Sequence, residues 1–319
     1  MLLLGDEDGE VGRLVYGERA HVDMECDSIE ALQEAMRAHD YICDRALATV
    51  VFLAMKLGKP ILLEGEAGVG KTEVAKVLAA MLGAKLIRLQ CYEGLDVNTA
   101  LYEWNFPRQM LHIKIAEAAA SATAEQIEHE IFSTEYLIKR PLLEAIQNGM
   151  TQATVLLIDE VDRSDEEFEA FLLEVLSDFQ ISIPEIVTIK ADCPPLVILT
   201  SNRTREIHDA LKRRCLFHWI DYPTFEKEYA IVRAKVAGID AHLASQVCQF
   251  VEAMRQQDFY KRPGVAETLD WARALLYLGR ERLEIPTIEE TLGCILKYKE
   301  DIDKTNEDVL ETILNTLRT

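Results

Sequence analysis

The sequence has no long hydrophobic run and no recognisable export signal. No apolar stretch approaches the roughly 18 residues that a membrane-spanning helix needs, so we expect no membrane insertion. The opening Met1 to Leu4 is followed at once by acidic residues, without the basic start or cleavage site of a secretory leader. We therefore expect a cytoplasmic protein.

Motifs for disulfides and for metal ligands are also missing. The seven cysteines form no C-x-x-C pair, and the seven histidines show no H-x-x-x-H spacing. This pattern is typical of reduced, mostly buried thiols and of structural or surface histidines. The cysteines are Cys26, Cys43, Cys91, Cys193, Cys215, Cys248 and Cys294.

Basic residues are too few to balance the acids. The chain has 34 Lys and Arg against 55 Asp and Glu, a formal charge of −21, with a pI near 4.8. A protein that binds a nucleic acid backbone normally presents a basic face, so we expect no nucleic acid partner and no attraction to an anionic membrane. The acidic surface either serves solubility or docks a basic partner. A length of 319 residues favours about two domains.

One stretch carries a full phosphate-binding motif. Ile61 to Leu63 is an apolar strand, and the following loop fits G-x-x-x-x-G-K-[ST] before a helix begins. In such loops glycines let backbone N–H groups approach phosphate oxygens at a helix N-terminus, while the Lys reaches the β- and γ-phosphates and the Thr hydroxyl binds Mg²⁺. The predicted nucleotide-binding residues are Gly65, Glu66, Ala67, Gly68, Val69, Gly70, Lys71 and Thr72.

Two further apolar strands deliver polar residues at their ends. Thr154 to Ile158 ends in Asp159 and Glu160, and Leu196 to Thr200 is followed by Ser201 and Asn202. An acid pair beside a phosphate loop predicts that Asp159 binds Mg²⁺, mostly through water, and that Glu160 activates the attacking water. Asn202 either holds that water or forms a turn.

Clustered cations mark two other candidate sites. A short predicted helix from Ile207 to Arg214 ends in Lys212, Arg213 and Arg214, which either suit a helix C-terminus or provide an arginine finger for a neighbouring subunit. Arg262, before a later helix, is the candidate lid cation, with Arg273 as the fallback.

The rest of the chain divides into an arm, a sheet domain and a helical domain. The predicted boundaries are 1–40 for an acidic arm with a short helix, 41–223 for the nucleotide-binding α/β domain and 224–319 for an all-helical domain. Tyr41 and Ile42, at the start of a predicted helix, pack either in the core or on an adenine ring.

Three local patterns give further expectations. An aromatic insert from Cys91 to Met110 either covers the core or contacts a partner. Residues Phe132 to Gly149 are predicted to form one helix. Ser164 is predicted to cap a helix whose acids Glu166, Glu167, Glu169 and Glu174 face solvent.

Together these motifs resemble an AAA+ ATPase, from about Tyr41 to the C-terminus, and more finely the CoxD-like branch of the MoxR family. The stretches that carry the finer resemblance are 63–72, 136–143, 157–163, 200–206 and 210–223. The resemblance implies a P-loop α/β core with a parallel sheet between helices, followed by a smaller all-α lid. It assigns sensor 1 to Asn202, the finger to Arg214 and the lid sensor to Arg262, although Arg213 adjoins the finger and Arg262 precedes Pro263 where the family has its arginine after a proline.

The same resemblance implies an activity and partners. It implies Mg²⁺-dependent ATP hydrolysis in a homo-oligomeric ring, a hexamer, that works with a von Willebrand factor A domain protein. The expected role is a chaperone that matures a metalloenzyme, here the molybdenum/copper-sulfur site of carbon monoxide dehydrogenase. A DNA-associated loader or motor and a P-loop small-molecule kinase are the alternatives.

Overall fold

The computed structural model describes residues 27–119, 123–148, 153–183 and 188–317. The predicted acidic arm before Asp27 lies outside these residues. None of the helices in these residues combines the length and the hydrophobicity of a membrane span.

A five-stranded parallel sheet forms the centre of the first domain. Its strand order is β2-β5-β8-β1-β9, so the phosphate-loop strand lies between the last two strands of the domain. Two short antiparallel pairs, β3 with β4 and β6 with β7, lie apart from it. The strands are β1 (Ile61–Gly65), β2 (Lys85–Gln90), β3 (Tyr102–Trp104), β4 (Leu137–Lys139), β5 (Thr154–Asp159), β6 (Gln180–Ser182), β7 (Thr188–Lys190), β8 (Leu196–Ser201) and β9 (Leu216–Ile220).

Helices flank the sheet and then form a separate bundle. Those of the first domain are α1 (Ile29–Ala38), α2 (Arg45–Leu57), α3 (Lys71–Met81), α4 (Val97–Leu101), α5 (Phe106–Ala119), α6 (Ala124–Ile131), α7 (Pro141–Asn148), α8 (Glu166–Asp178) and α9 (Asp209–Arg214). The bundle contains α10 (Phe225–Lys235), α11 (Ala241–Arg255), α12 (Val265–Tyr277), α13 (Ile285–Ile295), α14 (Lys299–Lys304) and α15 (Glu307–Leu317).

The central strands of the sheet are buried on both faces because they are mostly apolar. Alternate residues of one strand enter different clusters: Leu62 packs with α7, α8 and α9, whereas Ile61 and Leu63 pack with α1, α2 and α3. Every residue of β1 and β5 is buried. Such a core fixes the strand ends, and the polar residues that follow them, at one edge of the sheet.

The bundle has its own core and closes over the strand ends as a lid. Trp271 and Phe250 are fully buried at its centre, with ring centroids 5.2 Å apart. Two ion pairs link its first helix to the sheet domain: Lys227 to Asp44 at 2.9 Å and Lys235 to Glu73 at 2.6 Å.

The structure corrects the helix predicted from Phe132 to Gly149. Leu137–Lys139 is instead strand β4, paired with Tyr102–Trp104 across the insert, and the helix begins only at Pro141. A three-residue strand is too short to show an alternating pattern, so the inward-facing apolar residues on either side suggested one continuous helix.

Two expectations for α8 are also wrong. Asp165 caps the helix by accepting a hydrogen bond from the Phe168 N–H, while the Ser164 hydroxyl turns back to the Val161 carbonyl. Glu169 is buried and forms an ion pair with Arg205, so it is not part of a solvated face. The helix α14 was not predicted.

Candidate active site

The phosphate loop joins the buried strand β1 to α3 through three glycines with positive φ. Gly65, Gly68 and Gly70 have φ of 156°, 79° and 98°, which only glycine adopts readily. Space is restricted as well, because a Cβ on Gly65 would lie 2.2 Å from the Ile220 carbonyl oxygen of β9. The loop thus presents its N–H groups, with the N-terminus of α3, to one cleft.

This cleft, of about 460 Å³, lies between the strand ends and the lid. It brings together most of the predicted site residues: Tyr41, Ile42, Ala67, Gly68, Val69, Gly70, Lys71, Thr72, Asp159, Glu160 and Asn202. Gly65 and Glu66 do not line it, although their carbonyls hold the Lys71 side chain. Arg213, Arg214 and Arg262 lie outside it.

The Lys71 ammonium is folded back onto its own loop. Its Nζ donates to the carbonyl oxygens of Gly65 and Glu66, both at 2.7 Å. Burial lowers the pKa of Lys71 to about 8, although nearby carboxylates, with Asp162 first, act in the opposite direction. A phosphate arriving in the cleft would offer the ammonium stronger partners than two peptide carbonyls.

Asp159, at the end of β5, receives hydrogen bonds from three side chains. Its Oδ1 accepts from the Thr72 and Thr200 hydroxyls at 3.0 and 2.5 Å. Its Oδ2 accepts from Nε and Nη2 of Arg88 at 3.0 and 2.6 Å. The carboxylate is 3% exposed and is therefore held in one orientation beside the hydroxyl of the loop threonine.

Glu160 follows in the left-handed conformation, with φ of 56°. A non-glycine residue adopts this conformation only when its surroundings fix it, which is common at active sites. Its N–H donates to the Thr200 hydroxyl at 2.9 Å. Its carboxylate accepts from Gln90 at 3.0 Å, from Arg163 at 3.1 Å and, weakly, from the Asn202 amide at 3.5 Å.

Asp162 fixes the turn that carries Asn202. Its buried carboxylate accepts from the backbone N–H of Asn202 at 3.2 Å, and from the N–H and hydroxyl of Thr204 at 2.8 and 2.7 Å. The amide side chain is thereby directed toward Glu160 and the cleft.

The lid supplies the opposite wall. One face of α12 lines the cleft through residues at helical spacing, Ala266, Leu269, Asp270 and Arg273. From α10 come Lys227, Ile231 and Lys235. Arg273 is thus the arginine that lines this cleft from the lid, while Arg262 lines a smaller neighbouring cleft of about 260 Å³ with Glu66 and Tyr222.

Several polar residues of the site were missed in the sequence, among them Arg88, Gln90 and Thr200. Arg88 and Gln90 lie on one face of β2, and the parallel register sets Gln90 beside Asp159. Thr200 is the residue before Ser201 on β8. The spacing of two between Arg88 and Gln90 on the edge strand β2 was the signal available in the sequence. Only the strand order shows that β2 and β5 are neighbours.

These residues fit a nucleoside triphosphate with Mg²⁺. The glycine cradle, the buried ammonium and the Thr72–Asp159 pair are the donors and oxygen ligands that phosphates and Mg²⁺ require. Outside this pair, no group of three or more His, Cys, Asp or Glu side chains in the described part of the chain is arranged to hold a metal ion.

Fold and site together define an AAA+ ATPase domain of the P-loop class. Comparison with protein families agrees, since residues 60–215 match the model described as "AAA domain (dynein-related subfamily)". The protein is accordingly an ATPase.

Known relatives are distant. An uncharacterized protein of Staphylococcus haemolyticus is 27% identical over 230 residues, 70% of this chain and 78% of that protein. The Holliday junction branch migration complex subunit RuvB of Thermotoga petrophila is 22% identical over 204 residues, 62% of this chain and 60% of its own length. A solved Thermotoga maritima RuvB mutant matches 91% of this chain and 78% of its own at 17% identity, with a TM-score of 0.46.

Proposed function

We propose that this ATPase works as a homo-oligomeric ring, a MoxR-type chaperone that remodels or matures a metalloenzyme. The observation that carries the ring is the position of Arg213 and Arg214. Both are exposed at the end of α9 and neither lines the cleft of its own subunit. An arginine that completes the site must then reach the cleft of a neighbour.

In this proposal each residue of the cleft has one task. Lys71 and the loop N–H groups would bind the β- and γ-phosphates. Thr72 and Asp159 would hold Mg²⁺, which would supply positive charge to the phosphates. Glu160 accepts a proton from the attacking water at its carboxylate, and Asn202 orients that water through its amide. Gln90 and Arg163 hold Glu160 until water and nucleotide are in place.

One assignment changes relative to the sequence-based hypothesis, and the adenine role of Tyr41 and Ile42 is kept. Arg273 replaces Arg262 as the lid sensor, because Arg273 shares the cleft with the phosphate loop and Arg262 does not. Tyr41 and Ile42 form part of the wall on the same side as Asp40, where an adenine ring can pack. Burial raises the pKa of the Tyr41 phenol, so this ring stays neutral.

The client is proposed from the resemblance: a carbon monoxide dehydrogenase-like molybdenum hydroxylase, approached with a von Willebrand factor A domain partner. The insert offers one surface for such contacts. Phe106 and Tyr92 are 60% and 44% exposed, whereas Trp104 is buried against Phe132.

The ring is tested by ATP turnover against protein concentration, with mass measured by light scattering in the presence of nucleotide. We expect specific activity to rise as the ring assembles. Glu160→Gln and Arg214→Ala should bind ATP but lose at least about 100-fold in turnover, and mixing the two variants should restore some activity. Arg213→Ala is the matched control that decides which arginine acts.

The client is tested separately in the source organism. A strain carrying only the Glu160→Gln chain should produce the molybdenum hydroxylase polypeptide without its complete metal-sulfur site, measured by metal analysis. A fully loaded enzyme in that strain would contradict the maturation role while leaving the ATPase intact.

The likeness to RuvB favours a second candidate, a DNA-associated motor. The formal charge of −21 opposes it, since sequence-independent binding to DNA depends on cationic contacts to phosphates. Tight, salt-sensitive binding to a branched DNA would establish this candidate. Full turnover by a monomer lacking Arg214 would instead favour a small-molecule kinase.

A further inference from the structure

The lid touches the phosphate loop through a glycine that has no room for a side chain. A Cβ on Gly264 would lie 2.8 Å from the Ala67 carbonyl oxygen and 2.9 Å from the Gly68 Cα. Two residues further on, the Ala266 N–H donates to the Gly68 carbonyl at 3.1 Å. Backbone therefore packs on backbone at the middle of the loop that receives the phosphates.

The segment that makes this contact is held from behind by a buried polar network. Arg255 donates through Nε to the Pro263 carbonyl at 2.8 Å, and the Thr268 hydroxyl lies 3.0 Å from the Gly264 carbonyl. The guanidinium of Arg255 also forms a bidentate ion pair with Glu228, at 2.6 and 2.7 Å. The Thr268 hydroxyl lies 2.7 Å from a carboxylate oxygen of Glu228.

All three side chains are buried, Glu228 and Thr268 completely. A buried ion pair whose polar atoms are hydrogen-bonded favours one arrangement, because rotation of either side chain would leave a charge unpaired. The network is therefore stiff, and it transmits displacement of one member to the others.

The same network reaches the cleft wall and the junction between the domains. Glu228 lies on α10 next to Lys227, which lines the cleft. The Arg255 guanidinium stacks 4.9 Å above the ring of Tyr222, in the segment between β9 and α10. One buried cluster thus joins the junction, the cleft wall and the loop contact.

We propose that Glu228, Arg255 and Thr268 are positioning residues for ATP binding, acting through Gly264. They hold the Gly264–Ala266 backbone against Ala67 and Gly68 and so fix the orientation in which the loop presents its N–H groups to phosphate. None of the three lines the cleft. This inference requires only the ATPase activity and does not depend on the ring or on the client.

The contact itself is tested with Gly264→Ala. Its added methyl group must separate the lid from the phosphate loop. We expect an affinity for a fluorescent ADP at least about tenfold weaker than wild type, and faster amide hydrogen exchange in residues 65–72. Unchanged affinity together with unchanged exchange in a folded protein would overturn the proposal.

The network is tested with a matched pair at Thr268. Thr268→Val keeps the shape but removes the hydroxyl, whereas Thr268→Ser keeps the hydroxyl. We expect the Val variant to share the weaker ADP binding and faster loop exchange, and the Ser variant to restore both. Equal ADP affinities for the two variants would overturn the proposal, even if Gly264→Ala fails to fold.

A control separates positioning from general lid stability. Arg282→Ala removes an exposed lid cation, paired with Glu284 on the surface, and should leave ADP affinity and loop exchange at the wild-type level. Thermal melting of each variant, followed by circular dichroism, shows whether the fold is intact. A loss of affinity that follows the melting temperature across all variants, with loop exchange unchanged, would refute a positioning role.

Discussion

At the residue scale, Lys71 ties the chemistry of the cleft to pH. It is buried among carbonyls and its ammonium is desolvated, so it gives up its proton more readily than a surface lysine. Below a pH of about 8 the side chain is protonated and attracts phosphate, and above it the charge is lost. The affinity for a polyanion should therefore fall when Lys71 loses its positive charge.

We expect the affinity for ADP to weaken as the pH rises through about 8. A plot of log Kd against pH bends at the pKa of the free protein, since only the protonated form pairs with phosphate. Calorimetric titrations between pH 6.5 and 9.5 would measure it. Lys71→Arg should bind less well but show no bend, because arginine stays charged.

The same pKa predicts an effect on folding with a definite sign. The pKa is lowered from 10.5 in the unfolded chain to about 8, so the unfolded state binds more protons between these values. This group therefore destabilises the nucleotide-free fold below a pH of about 8, and its penalty is relieved as the pH rises toward 10.5.

At the element scale, the face of α12 that packs toward the phosphate loop determines which arginine lines the cleft. Arg273 lies on the face that carries Ala266, Leu269 and Asp270, and an ion pair with Asp270 at 3.2 Å holds its guanidinium there. Arg262 lies before the helix and faces the neighbouring cleft.

Arg273→Ala should therefore lower kcat/KM for ATP by about tenfold or more, as expected for loss of a charge contact to phosphate. Arg262→Ala, which removes the same charge at the other cleft, should stay within about twofold of wild type. Steady-state kinetics decides the matter, and the reverse order of effects would restore the assignment made from the sequence.

A buried ion pair connects α8 to the loop that follows β8. Glu169 is 1% exposed and binds Arg205, and it also accepts from the His208 N–H at 2.8 Å at the start of α9. Arg205 in turn donates to the Ser164 carbonyl. The pair thus orders the turn beyond Asn202.

Arg205→Met should destabilise the fold by about 3 kcal/mol, because it leaves a buried carboxylate without its partner. Thermal denaturation would show a lower Tm. The double variant with Glu169→Gln should recover part of the loss, and Arg282→Met, at a surface pair, should change little. An unchanged Tm for Arg205→Met would mean that water replaces the arginine.

A site residue can be predicted from the sequence when a local motif places it, but not when its contact depends on which strands are neighbours. Lys71, Thr72, Asp159, Glu160 and Asn202 were predictable because each follows an apolar strand or sits in a fixed motif. Arg88 was not, because its contact with Asp159 exists only through the pairing of β2 with β5. The helical spacing of Arg273 from Ala266 showed that both lie on one face of α12, but the spacing alone does not show that this face lines the cleft.

At the scale of the whole molecule, charge opposes assembly. Subunits with a formal charge of −21 repel each other, and salt shortens the range of that repulsion from about 30 Å at 0.01 M to about 8 Å at 0.15 M. The proposed ring has to overcome this repulsion through local contacts.

We therefore expect moderate salt to promote the ring. Sedimentation velocity at fixed protein and ADP concentration should show a larger assembled fraction at 0.15 M than at 0.01 M NaCl. The opposite trend would mean that cationic fingers facing acidic neighbours dominate the interface, with attraction outweighing the net charge.

The two ion pairs between lid and sheet domain also bear on how long a spent nucleotide stays. Lys227 and Lys235 line the cleft and are bound to Asp44 and Glu73. Each partly exposed pair contributes at most about 1 kcal/mol, so these ion pairs hold the lid closed only weakly. Salt that weakens these two ion pairs should shorten the residence time of ADP. The rate of successive hydrolysis cycles would then be set by the exchange of ADP for ATP.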